Sequence, residues 1–468
     1  MPNDGADFHD SRRLFDACEA GFPEVVRRLS DLVRIPSCAF PGFPREPVEE
    51  SARATARWFS DIGMPDVRIV ALPDAPSAVV ARDHRAGPGK PTLLLYAHHD
   101  VQPPLREPLW TAPAFEPVVR EGRLYGRGAA DDKAGIALHA ASIAAWYATG
   151  QALPVNVTVL VEGEEETGSN HLEDFIREHL DLLRADAVVI ADLSNFDTGL
   201  PSLTVSLRGL VAVEVELVAM ERSVHSGLWG NTVPDVVGEL CRILASLRNP
   251  DGSIAVEGIL DGIEPPTPSE LADWARLPYD RAAYASVPGF DPRFVPVDSV
   301  DLGRKLWRTP ALTINGIQSG AKGTTGNVLM DRAWSRLGVR IVPGMDPRRT
   351  LDLLVAHLRA RVPEGMTLSV SEESRAPAWG TSTTHPIFAH ARAALEAGYG
   401  RAPVEVGCGA TIPFVESVTA ALGGVPALLV GVEDPACNAH SEDESVHLGD
   451  LLSAIRGQAE LFRRVGGA

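Results

Sequence analysis

The sequence predicts an α/β fold, a sheet covered on both faces by helices, with an α+β sandwich inserted into it. Two observations carry this. Over roughly the first 200 residues, three apolar, β-rich runs alternate with helical patterning, as strands buried on both faces do. From about Leu203 the patterning changes to strict apolar–polar alternation, which marks a sheet with one face in water. The first pattern returns near Ala376. A chain of 468 residues exceeds one ordinary core, so two bodies are expected. Residues 1–202 and 376–468 would form one domain, and 203–375 the insert.

In chain order, the buried strands are "PTLLLYAHHD", "VNVTVLVEGEEE" and "ADAVVIADLSN". Between the first two lies "DDKAGIALHAASIAAWYATG", whose Ile136, Ala140, Ile143, Ala144 and Tyr147 follow helical spacing. The insert opens with "LTVSLRGLVAVEVELV", read as a half-exposed antiparallel strand pair. Val211, Val213, Val215 and Leu217 share one face there, and Glu214 and Glu216 the other. A helix follows in "DVVGELCRILASLRN" and a strand in "LGVRIVPG". The helix "DPRRTLDLLVAHLRARV" starts with Asp346 as N-cap and Pro347 in its first turn, before the strand "GMTLSVSEE". Residues 250–310, rich in Pro, Asp and Gly, read as a long excursion of the insert, which keeps an exposed sheet edge. The last α/β stretch ends in "VPALLVGVEDPACNAHSEDES".

Composition excludes several functions. Net charge is −19, from 62 acidic against 43 basic residues, so no basic face is expected for nucleic acid. No basic-then-apolar leader opens the sequence, and no run of about 18 apolar residues predicts a membrane span. Five scattered cysteines without CxxC spacing fit a reducing cytoplasm better than a disulfide framework.

The chemistry gathers at strand ends. His98 and Asp100 end the first run, Glu165 and Glu166 follow the second, and Asp192 follows the third. Asp131 lies in a Gly-rich turn and His440 near the end of the last stretch. Taken singly, each reads as a solvated strand end or a helix cap. Together they do not, because clustered carboxylates raise one another's pKa unless a cation neutralises them. In open α/β sheets, sites form beyond the carboxyl ends of the strands. Imidazole with carboxylates suits a pair of divalent ions such as Zn²⁺, with Mn²⁺ or Co²⁺ as alternatives.

"HHDVQP", "YGRGAADDKAG", "EGEEETGS", "VVIADLSN", "HSGLWGN" and "NAHSEDES", in this order, resemble the M20 family of metallopeptidases, in its dipeptidase and carnosinase-like branch. The resemblance implies a catalytic domain with a mixed sheet covered by helices and an inserted lid or dimerisation domain. It further implies that His98 and Asp192 bind one metal, Glu166 and His440 the other, and that Asp131 bridges both. Asp100 would hydrogen-bond the His98 ring and so fix its tautomer. Glu165 matches the general base, acting with a metal-bound hydroxide on an amide. His225 matches a histidine that stabilises the oxyanion in the neighbouring subunit of a homodimer. Arg340 matches a carboxylate-binding arginine, and Thr411 in "CGATIP" stands where the pattern usually has Ser. A cis Asp131–Asp132 peptide is implied as well. His99 has no matched role and is expected to face away, since strand neighbours alternate. "SGAKGTTGNVLM" follows the family only loosely, and His385 in "TTHPIF" aligns poorly with a second substrate histidine.

The expected activity is hydrolysis of dipeptides, or similar small substrates with a free carboxylate. Two alternatives stand beside it: an N-acyl-amino-acid deacylase or desuccinylase with the same metals, and a metal-containing binding protein without turnover. Glu165 beside Glu166 argues against the latter, because a binding site has no need of a base.

Overall fold

The computed structural model describes residues 4–467 apart from Thr324 and Pro413, with the side chains of 4–10 left aside. Pro413, the last residue of the "CGATIP" turn, and Thr324 of the "SGAKGTTGNVLM" segment therefore lie outside the described residues. The chain divides into two compact units. One comprises Met1–Val205, Thr381–Val406 and Phe414–Ala468, and the other Ser206–Gly380 and Gly407–Pro413.

The first unit is built on a mixed sheet. Its strands run in the order Asp66–Leu72, Ala75–Asp83, Asn156–Glu162, Thr92–His98, Ala187–Ile190, Ala427–Leu429, Ser202–Leu207. Thr92–His98 pairs in parallel with both neighbours, and Ala187–Ile190 in parallel with Ala427–Leu429. Four parallel strands therefore end on one side, and their carboxyl ends carry the candidate ligands. Asn156–Glu162 and Ala187–Ile190 are buried at every residue, as strands covered on both faces must be. The helix Lys133–Ala148 is buried nearly all round instead of along one stripe. Its alanines let the strand Thr92–His98 and the helices Asp4–Val33 and Leu448–Gly466 approach it closely. The pair of strands Asp66–Leu72 and Ala75–Asp83 and both terminal helices are additions to the sequence reading. None of the helices is long and apolar enough to cross a membrane among the described residues.

The second unit holds a four-stranded antiparallel sheet ordered Ala311–Gln318, Arg332–Ile341, Gly209–Val218, Thr367–Ala376. Val211, Val213, Val215 and Leu217 are buried with Leu337, Val339 and Ile341 beneath the helices Val236–Ala245 and Pro347–Arg359. Asp346 caps the second helix by accepting from the Arg349 amide at 2.6 Å, with a proline in its first turn.

One expectation requires correction. "LTVSLRGLVAVEVELV" is not a hairpin-like pair: Ser202–Leu207 belongs to the large sheet, is buried throughout, and meets Ala427–Leu429. Only Gly209–Val218 alternates and enters the smaller sheet. A single residue, Arg208, separates the strands, too short a break to show in the apolar pattern. The 250–310 stretch is also more regular than its composition suggests. It forms the helices Pro268–Trp274, Arg281–Ser286 and Ser299–Trp307, and the rings of Trp274 and Trp307 meet edge to face, 5.4 Å between centroids.

Candidate metal centre

His98 is the last residue of its strand and is fully buried. Its Nδ1 lies 3.3 Å from Asp100 Oδ1, and its Nε2 lies 3.0 Å from Asp131 Oδ1 and 3.5 Å from Asp192 Oδ1. The other oxygen of Asp131 lies 2.8 Å from His440 Nε2, which is also 3.2 Å from Glu166 Oε2. One carboxylate thus faces both imidazoles, an oxygen to each. Glu165 Oε2 stands 4.0 Å from His98 Nε2, at the edge of this group.

Loop chemistry fixes these positions. The Asp100 carboxylate accepts from the backbone amides of Glu165 and Glu166, each at 3.1 Å, so it holds the acidic turn, while the Asp100 backbone carbonyl lies 3.1 Å from the His98 Nδ1. Gln102 donates to Glu166 from its backbone at 3.0 Å and from its side chain at 2.7 Å. The Asp131–Asp132 peptide is cis. Asp132 caps the helix Lys133–Ala148, accepting from Gly135 N at 3.0 Å and from His98 N at 3.2 Å. Both of its oxygens are engaged by backbone amides, which makes it a tie between strand end and helix start. Ahead of Asp131, Gly128 takes φ +79°, a conformation that favours glycine, and a Cβ there would run into Val101.

Electrostatics favour a cation. Burial pushes the Glu166 carboxyl up to about 7, with Asp131 adding to it, and burial also drives Glu165 well above the usual range. Asp192 is raised by burial too. Hydrogen bonds to Asp131 and Glu166 lift His440 to about 11. For His98, burial favours the neutral ring, but the Asp192 charge and bonds to its carboxylate neighbours outweigh it. Carboxylates crowded into a buried pocket require positive charge nearby. The donors are nitrogen and oxygen only. His98 and Asp192 offer ligand atoms within 4.8 Å of one another, with Asp132 beside them but engaged by the His98 and Gly135 amides, and Asp131, Glu166 and His440 do the same. The residues fit two divalent ions.

None of the remaining candidates is a member of these two donor groups. His99 is buried and turned to Ser77, whose carbonyl lies 2.9 Å from its Nε2. His385 caps the helix Pro386–Tyr399 through its own ring nitrogen. In the second unit, His225 is exposed on a short strand, Val224–His225, with its Nδ1 accepting from Gly227 N at 3.0 Å. Arg340 Nη1 donates to Thr411 Oγ1 at 2.6 Å, so these two candidates meet. Arg208 is their unforeseen neighbour. Burial and the Arg340 charge lower its pKa, and its Nη2 donates to the carbonyls of Lys305 and Thr309, each at 2.7 Å. No side-chain carboxylate among the described residues pairs with Arg208 or Arg340. Gln102, Asp132 and Arg208 also escaped the sequence reading. Of these only Asp132 had a signal, an acidic residue directly before a helical pattern.

The family model for peptidase family M20/M25/M40 matches residues 94–464. A Cys-Gly metallodipeptidase of Schizosaccharomyces pombe is 30% identical over 464 residues, covering 95% of this chain and 96% of that protein. A Beta-Ala-His dipeptidase of Rattus norvegicus is 29% identical, covering 96% and 94%. The solved structure of the dipeptidase Dug1p from Saccharomyces cerevisiae superposes with a TM-score of 0.82 at 25% identity, covering 98% of this chain and 99% of that one. The match spans the strand ends, the Gly-rich turn and the His440 loop that build the centre. This chain is an enzyme of peptidase family M20/M25/M40, the metallopeptidases that its motifs resemble.

Proposed function

We propose that this enzyme is a dinuclear metal-dependent dipeptidase, cleaving the amide bond of dipeptides that carry a free carboxylate. The observation that carries the reading is the Asp131 carboxylate set between two imidazoles, 3.0 Å from His98 and 2.8 Å from His440. His98 and Asp192 would hold one ion, Glu166 and His440 the other, and Asp131 both. Zn²⁺ suits the donors best, with Mn²⁺ or Co²⁺ as alternatives. When bound, such ions acidify a water and polarise a carbonyl. Glu165, beside the donor groups and outside both, takes the proton of the attacking water and passes it to the leaving nitrogen. Asp100 keeps the His98 ring oriented and anchors the turn that bears Glu165. Arg340 and Thr411 receive the substrate carboxylate, the guanidinium through two parallel hydrogen bonds.

In this reading residues 203–375 act as a lid and dimerisation domain, and His225 serves the oxyanion of a neighbouring subunit. The names of the relatives support a dipeptide substrate. A reducing cytoplasm suits the buried free thiols of Cys18, Cys38 and Cys437. The test is metal-free protein assayed on a dipeptide panel beside N-acyl amino acids, before and after Zn²⁺, Mn²⁺ or Co²⁺ is restored. Metal-dependent release of amine from dipeptides is expected. Turnover of N-acyl amino acids alone would move the enzyme to the deacylases, and no turnover of either would leave a binding protein.

A further inference from the structure

Glu444 lies four residues beyond His440 and is fully buried, yet it faces no substrate or ligand atom in the reading above. Its carboxylate is filled by the turn that precedes Asp131. Oε1 accepts from the backbone amides of Ala130 at 2.9 Å and Asp131 at 3.1 Å. Oε2 accepts from the Gly128 amide at 3.0 Å and from Arg127 Nη1 at 2.6 Å. The Glu444 carbonyl accepts from Gly126 N at 2.9 Å, so main chain and side chain grip the same turn. Arg127, itself buried, extends the grip through Nη2 to the carbonyls of Ser441 at 3.1 Å and Pro103 at 3.3 Å. Ser441 follows His440, and Pro103 ends the segment that begins with His98. Three separate stretches of chain, each bearing a candidate ligand, therefore meet on one buried ion pair.

A carboxylate suits this place because every group around it donates. An amide of the same size would turn two N–H donors toward Gly128 N and Arg127, leaving buried donors unpaired. Turned the other way, the same amide would face the Ala130 and Asp131 amides, so either the bond to Asp131 itself or the grip on the turn that carries it is lost.

We propose that Glu444 is a positioning residue that holds Asp131 and His440 in one register, and thereby sets the affinity of the centre for divalent cations. The inference rests on the metal-centre reading and adds a residue to it. Partners that orient ligands typically contribute about 10–100-fold in metal affinity.

The test compares metal-free native protein, Glu444→Gln and Glu460→Gln, each titrated with Zn²⁺ against a competing chromophoric chelator. Glu460 is the control: its buried carboxylate is held by Arg463 and Arg464 of its own helix, Leu448–Gly466, and by the Ser11 hydroxyl at 3.0 Å. Both substitutions should lower the melting temperature of the metal-free protein, since each takes a buried carboxylate out of its ion pairs. Only Glu444→Gln should weaken Zn²⁺ binding, by about 10–100-fold. Native Zn²⁺ affinity in Glu444→Gln overturns the proposal, as does equal weakening in Glu460→Gln, which would mean general loosening. If Glu444→Gln does not fold, Arg127→Lys carries the test, because it keeps the charge but loses the donors to Ser441 and Pro103. Weaker Zn²⁺ binding is then expected, and native binding overturns the proposal. Native protein that takes up no Zn²⁺ would instead refute the metal reading, and this inference with it.

Discussion

Glu165 and Glu166 are neighbours in sequence with opposite tasks in the proposed mechanism, and their surroundings account for the difference. Glu166 is oriented by Gln102 and meets His440 at 3.2 Å, as a ligand should. Glu165 has its amide anchored on Asp100 while its carboxylate stands 4.0 Å from His98. Glu165→Gln should therefore leave metal content intact and lower turnover by about 10²-fold or more. Glu166→Gln should lose metal. Elemental analysis showing the same metal loss in both variants would remove Glu165 from the base role. Arg340 allows a similar separation by substrate. Arg340→Lys keeps the charge but loses the planar fork, so the KM for a dipeptide should rise or its kcat fall. An amidated dipeptide, already a poor substrate, should be little affected by the same change. Equal responses of acid and amide would place the carboxylate clamp elsewhere.

At the level of elements, what the sequence disclosed followed the strength of its periodic signals. The buried runs ending at His98, Glu162 and Ile190 are long, apolar and bounded by polar turns, so both the strands and the crowding of ligands at their ends could be read. The alternation of Val211 to Leu217 identified one sheet face correctly, because burial on one side imposes period two. The same segment hid the passage between sheets, since Ser202–Leu207 and Gly209–Val218 are both apolar enough to look continuous. The helices within 250–310 were obscured by the frequent prolines around them, although Pro268 follows the cap Thr267 at a position where proline starts a helix. Glu444 and Arg208 act through hydrogen bonds to distant backbone, and Gln102 through bonds to the carboxylate of Glu166, none of which leaves a local pattern. Glu444 pairs with residues 313 to 317 positions away.

For the whole molecule, the candidate residues are divided between units: the donors and Glu165 belong to the first, and His225, Arg340 and Thr411 to the second. The proposed homodimer gives this division a purpose. His225 opens a short helix whose Leu228 and Trp229 are 76% and 48% exposed, large apolar side chains that a second copy could cover. The outer strand Ala311–Gln318 leaves Ile314 and Ile317 exposed on an edge that can pair across a two-fold axis. If His225 serves the neighbour's oxyanion, its removal should lower turnover by about 10²–10³-fold. Two inactive variants then test whether the site is shared. In a mixed dimer the Glu165→Gln subunit lends its His225 to the His225→Ala subunit, which still owns Glu165. One site in such a dimer is complete. Equal amounts, after subunits have exchanged, should recover about a quarter of native activity, because half of the dimers are mixed and half of their sites work. If His225 acts within its own subunit, every site in the mixture lacks one group. Mixing would then restore nothing, and the shared site would have to be abandoned.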